Sequence, residues 1–77
     1  MIYDSVERRL AQALMTLSKK FGKKIPLTKH ELAEMANTTV ETAIRALGHL
    51  KEQGVVTSAR GSTTITDAAK LERLVHG

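Results

Sequence analysis

The chain has no cysteine, a single proline and only two aromatic residues, Tyr3 and Phe21. Without cysteine it can hold neither a disulfide nor a thiolate metal site. That composition fits a reducing compartment, and we expect a cytoplasmic protein. Modules for single-stranded nucleic acids stack bases on aromatic platforms, and two rings are too few for one. No apolar run approaches the roughly 18 residues of a membrane span. The opening Met1-Ile2-Tyr3-Asp4 has neither the basic start nor the apolar core of a secretory leader, so we expect no leader and no membrane partner. The chain also offers no nucleophile with a spaced base and no phosphate-cradling glycine loop, and it has little room for a pocket. An enzyme is not expected.

What is present is ordinary in its hydrophobic content and unusual in its charge. Lys and Arg number 12 against 8 Asp and Glu, giving +4 and a pI near 9.8. A domain pI above about 9 is the footprint of a polyanion binder. With the single-strand modules set aside, duplex DNA is the expected polyanion. Seventy-seven residues make one domain, 1–77. A domain that small buries only about 60% of its unfolded surface and needs good caps.

Four helical and three extended segments can be read along the chain. Asp4-x-x-Glu7 has capping-box form, and Val6, Leu10, Ala13, Leu14, Leu17 and Phe21 then recur at helical spacing. Lys19 and Lys20 suit the helix C-terminus, and Gly22 can end it. Ile25-Pro26-Leu27 reads as an edge strand, where proline is tolerated. Thr28-x-x-Glu31 is a second box, opening a helix with Leu32, Ala33 and Met35 that stops at Ala36-Asn37. Thr38-x-x-Glu41 has the same form and predicts a third helix, 39–53, ended by Gly54. Val55–Ser58 and Thr63–Thr66 are β-rich, with Ala59-Arg60-Gly61-Ser62 between them as a hairpin loop. Asp67 caps a last helix through Leu71, Leu74 and Val75.

Two short capped helices joined by the tight turn Ala36-Asn37-Thr38 form a helix-turn-helix. Ala33 and Ala43 supply small side chains where the helices must approach. The hairpin after the third helix adds a wing. The expected fold is therefore α+β: a winged helix-turn-helix with a three-helix core, a small antiparallel β-wing and a C-terminal helix. On the third helix Ala43, Leu47 and Leu50 share the core side, while Glu41, Arg45, Gly48 and Glu52 fall opposite. Recognition helices enter the major groove with their N-terminal residues at base edges. Arg45 can fork onto a guanine, Glu41 can accept from a cytosine amine, and Val40 and Ile44 suit thymine methyls. Each has a plainer reading: Glu41 as the third residue of a capping box, Arg45 as a solvated charge, Arg60 as a turn residue. Lys19, Lys20, Lys23 and Lys24 read as a soluble helix end with some long-range attraction to DNA. His30, Glu34 and His49 lack the spacing of a metal site, so no metal and no cofactor is expected. An exposed Val40 and Ile44 would also suit a winged helix that docks another protein. The basic charge favours DNA.

The sequence resembles the cyclic-AMP receptor protein / fumarate-nitrate regulator (Crp/Fnr) family of bacterial transcription factors, over nearly its whole length. The likeness runs through Arg9-Leu10-Ala11-Gln12, Leu27-Thr28-x-x-Glu31-Leu32-Ala33, Val40-Glu41-Thr42-x-x-Arg45, Gln53-Gly54-Val55-Val56, Arg60-Gly61 and Ile65-Thr66-Asp67. It implies that Glu41 and Arg45 read bases and that Thr28, Lys29, Thr39, Thr42 and Arg60 contact phosphates. Val40 stands where the cyclic-AMP-receptor branch has Arg. The Val-Glu pair is similar to the fumarate-nitrate branch, which reads TTGAT-type half-sites, although Ile44 replaces that branch's Ser. The resemblance further implies that the chain is the C-terminal part of a longer regulator with a ligand-sensing barrel and a dimerisation helix. That regulator would bind inverted repeats as a homodimer, with RNA polymerase as a further partner, while this segment alone would be monomeric.

Overall fold

In the computed structural model, residues 4–76 are described, with side chains from Val6 onward. The elements run α1 (Asp4–Phe21), β1 (Lys24–Ile25), α2 (Lys29–Met35), α3 (Val40–Glu52), β2 (Val56–Ala59), β3 (Ser62–Ile65) and α4 (Ala68–His76). This is the expected winged helix-turn-helix.

Helix α1 is central. Its buried stripe of Leu10, Ala11 and Leu14 packs against Leu32 of α2, Ala46, Leu47 and Leu50 of α3, and Leu71 of α4, and Ala13 is buried beside it in sequence. Fully burying a leucine contributes about 1.5–3 kcal/mol, so these few side chains carry much of a small domain's stability. The stripe ends before the helix does. Phe21 lies on its line by angle but is 42% exposed, because the chain leaves the core at Gly22 (φ +82°). Lys20 places its ammonium 5.5 Å from that ring. Met35 is likewise turned outward, 50% exposed, at the end of α2.

The turn between α2 and α3 is closed by backbone bonds. Asn37 takes a left-handed φ of +57°. Its N–H donates to the Glu34 carbonyl (3.1 Å), and the Thr38 N–H donates to Ala33 (3.0 Å). That pair of bonds is a Schellman motif, satisfying carbonyls the helix end leaves open. Thr38 is therefore held by the helix it follows. The cap of α3 is Thr39, extended at φ −77° and ψ 159°, whose hydroxyl accepts from the Thr42 N–H. The capping box expected at Thr38 and Glu41 does not form. The box at Thr28 and Glu31 does, in both directions, and the Asp67 carboxylate accepts from the Lys70 N–H at 3.0 Å as expected. The Asp4 side chain lies outside the described residues. Glu7, its expected partner, accepts from Gln53 Nε2 (3.1 Å) and lies 3.2 Å from His49 Nδ1, at the end of α3.

The wing is part of a three-stranded antiparallel sheet of order β1-β3-β2. Lys24 faces Thr64 and Ile25 faces Thr63 on one side, and Ala59 pairs with Ser62 next to the loop on the other. The short first strand is an edge, as expected, but it ends before Pro26. β2 is shifted one residue later than its composition suggests and β3 one residue earlier, so Ala59 and Ser62, expected in the loop, are paired strand residues. Val55 is held by its N–H donating to Leu50 (3.1 Å), and the Thr66 N–H donates to Val55 (2.9 Å). The hairpin turns on Arg60-Gly61, with Gly61 at φ +74°.

Thr39→Ala should lower stability in urea unfolding by about 1 kcal/mol, the usual cost of removing an N-cap. Thr38→Ala should cost well under half of that. The reverse order would place the cap at Thr38.

Candidate nucleic-acid interface

The first two turns of α3 stand at the exposed edge of the domain because its other side is fully committed. Ala43, Ala46, Leu47 and Leu50 are buried. Glu41, Ile44, Arg45 and Gly48 are exposed, and Val40 and Thr42 are half-buried. The side chains expected to meet DNA bases form two adjacent rows, each pair one turn apart: Val40 with Ile44, and Glu41 with Arg45.

The first row lines a shallow groove of about 270 Å³. Leu27, Thr28, Lys29 and His30 form its α2 side, and Ala59–Thr63 of the wing form the other. Val40 and Ile44 are thus the apolar wall of a groove whose rim carries Lys29, His30 and Arg60. Ile44 is 47% exposed. The second row lies outside this groove. With Thr39 as the cap, Glu41 is not recruited to the helix start. Among the described residues neither Glu41 nor Arg45 takes part in a hydrogen bond or ion pair. The carboxylate and guanidinium point outward side by side, both available to a ligand.

The residues expected at phosphates are spread around this edge. Lys29 and Thr28 sit at the start of α2, Arg60 at the wing tip, and Thr39 and Thr42 at the start of α3. The Thr28 hydroxyl accepts from the Glu31 N–H at 3.2 Å. Thr39 both caps α3 and donates to the Thr42 hydroxyl at 2.9 Å. A hydroxyl that already accepts still has its own proton to give, so Thr28 and Thr42 remain donors toward solvent. Sequence reasoning missed His30 as a neighbour of Lys29 and Arg60. Its spacing from Glu34 drew attention to metal chemistry, and only the fold brings the wing beside it. Among the described residues no group of three potential metal ligands forms, and His49 pairs with Glu7 on α1.

Gly48 adds a further feature of this face. A glycine inside a helix costs about 1 kcal/mol relative to alanine. Nothing lies within 4 Å of where its Cβ would stand, so no contact inside the domain requires it.

Residues 8–74 match the family model of the Crp-like helix-turn-helix domain. The chain is 36% identical over 76 residues to the cyclic AMP receptor protein of Thermus thermophilus, covering 97% of this chain and 35% of that protein. It superposes on the crystal structure of the catabolite activator protein of Thermus thermophilus with a TM-score of 0.91 at 36% identity, over 97% of this chain and 36% of that one. A Crp/Fnr-family transcriptional regulator from the same organism matches with a TM-score of 0.85 at 28% identity, over 92% and 40% of the respective chains. The chain thus spans about a third of the length of these relatives.

A substitution series along α3 tests which face is free. Leu47→Ala should lower unfolding free energy by about 2–5 kcal/mol. Ile44→Ala should stay within about 0.5 kcal/mol of the parent, and Gly48→Ala should raise stability by up to about 1 kcal/mol. A large loss at Ile44 or Gly48 would mean that these positions serve the fold.

Proposed function

We propose, on the premise that the chain belongs to the Crp-like helix-turn-helix domain family and is a DNA-binding domain of the Crp/Fnr transcription regulators, that it reads duplex sequence with the first two turns of α3. The observation that carries this reading is the position of the helix cap. Thr39 satisfies the helix start, which leaves Glu41 and Arg45 exposed, one turn apart and without partners among the described residues.

The chemistry follows from the groups. Arg45 forks onto the O6 and N7 of a guanine, and Glu41 accepts from a cytosine amine. Val40 and Ile44 offer apolar surface to thymine methyls at the mouth of the wing groove. Lys29, Arg60 and the hydroxyls of Thr28 and Thr42 hold phosphates on either side, with Thr39 offering its backbone N–H, and together they set the depth of the helix without reading sequence. Gly48, on the same face as Arg45, lets the duplex come close to the helix backbone. The Val40-Glu41 pair supports a half-site of the TTGAT type, with Ile44 altering one of its positions. One helix reads few base pairs. Half-sites about 34–36 Å apart, bound by two copies of the whole regulator, supply the rest of the specificity. RNA polymerase is a further partner proposed for that longer protein. Docking of a protein on the same face is the weaker reading, because the chain belongs to a family of helix-turn-helix domains found in transcription regulators.

A matched pair of substitutions tests the assignment by fluorescence anisotropy on short duplexes. Arg45→Ala should cost about 1–3 kcal/mol on the preferred site and relax discrimination at one base pair. Lys29→Ala should weaken all duplexes alike and reduce the salt slope by about one. Equal weakening on every sequence by Arg45→Ala would make it a phosphate contact and overturn the reading.

A further inference from the structure

A second cleft lies away from the DNA-facing edge and shares no lining residue with the wing groove. It holds about 500 Å³ between the first turns of α1, the last turn of α3 and helix α4. Its floor is apolar, made by buried Leu50 and half-buried Leu74. Its rim is cationic. Arg8 and Arg73 are exposed, and among the described residues neither forms a hydrogen bond or ion pair. Lys70 is held in place by donating from Nζ to the Gln53 carbonyl at 2.8 Å, which leaves its remaining N–H groups for a ligand. Glu7, the one acid of the lining, is engaged by Gln53 and His49 at 3.1 and 3.2 Å. The cleft therefore combines leucine surface with cations that, among the described residues, no acid answers.

We propose that this cleft docks an acidic segment of a partner protein, with leucine-like side chains on the floor and carboxylates on Arg8, Lys70 and Arg73. Duplex DNA fits it less well, because phosphates have no use for an apolar floor. Gln53 follows α3 and lies 13 residues beyond Val40, roughly 20 Å along a helix rising 1.5 Å per residue. The partner and the duplex can thus be held together, one at each end of α3. A fixed ammonium and a preformed floor lower the ordering cost of association, while the exposed guanidinium groups select for negative charge.

The test uses the ¹⁵N-labelled domain, free and on a short duplex, titrated with a synthetic peptide in which leucines are set among glutamates. Amide shifts should gather at Glu7–Leu10, Leu50–Gly54 and Lys70–Leu74, and they should survive when the duplex is bound. Replacing every glutamate of the peptide by lysine should abolish binding. The double variant Arg8→Glu with Arg73→Glu should weaken the peptide by roughly tenfold or more and leave the ratio of affinities for preferred and unrelated short duplexes within about twofold, since lowering the net charge acts on all duplexes alike. Several results would overturn the proposal: no binding, equal binding by the double variant, equal binding of a peptide with serine in place of leucine, displacement of the peptide by the duplex, or nuclear Overhauser contacts placing Ile2 or Tyr3 against Leu74 in the free domain.

Discussion

The turn at Asn37 decides the rest of the DNA-facing edge. Its left-handed backbone lets Asn37 and Thr38 return their N–H groups to Glu34 and Ala33, which ends α2 and turns the chain into α3 within a few residues. Asparagine reaches that conformation more readily than other non-glycine residues. Because Thr38 is taken by this motif, the next residue, Thr39, becomes the cap. Because Thr39 is the cap, Glu41 is left out of the capping network. A single backbone motif thus sets the start of α3 and the freedom of its first acidic side chain.

Packing then holds that geometry in place. Ala33, Ala36, Ala43 and Ala46 are all buried, and small side chains are what a close helix crossing demands. Behind them α1 supplies Leu10 and Leu14, and Glu7 ties the far end of α3 through Gln53 and His49. The sheet does the same for the wing. Pairing of Ile25 with Thr63 carries the wing tip back beside the start of α2, so that Arg60 and Lys29 border one groove. A domain with so small a core has little stability to spare, and among the described residues its buried side chains are apolar apart from Ser62 and Thr63.

Much of this was legible in the residues. The stripes of α1 and α3, the caps at Thr28 and Asp67, and the glycines at 22, 54 and 61 each follow from local chemistry that acts within a few positions. What local chemistry leaves undecided is where the differences arose. Thr38 and Thr39 are adjacent and equally good caps, and only the hydrogen bonds of the preceding turn choose between them. Phe21 continues the apolar line of α1, but a line does not show where its neighbours stop. The limits of β2 and β3 shift by a residue because Val55 and Thr66 are used by the end of α3 and by each other. The convergence of His30, Lys29 and Arg60 depends on strand pairing across nearly forty positions of sequence, which no spacing rule reaches.

The central claim is that the edge formed by the starts of α2 and α3 and the wing tip is the surface that meets DNA. Amide chemical-shift mapping of the ¹⁵N-labelled domain, titrated with a duplex selected from random sequence, tests it most directly. The account predicts that the perturbed amides gather at Thr28–His30, Thr39–Arg45 and Arg60–Ser62, with α4 and the exposed end of α1 at Phe21 unaffected. Perturbations centred on α1 and α4, with the first turns of α3 silent, would contradict it.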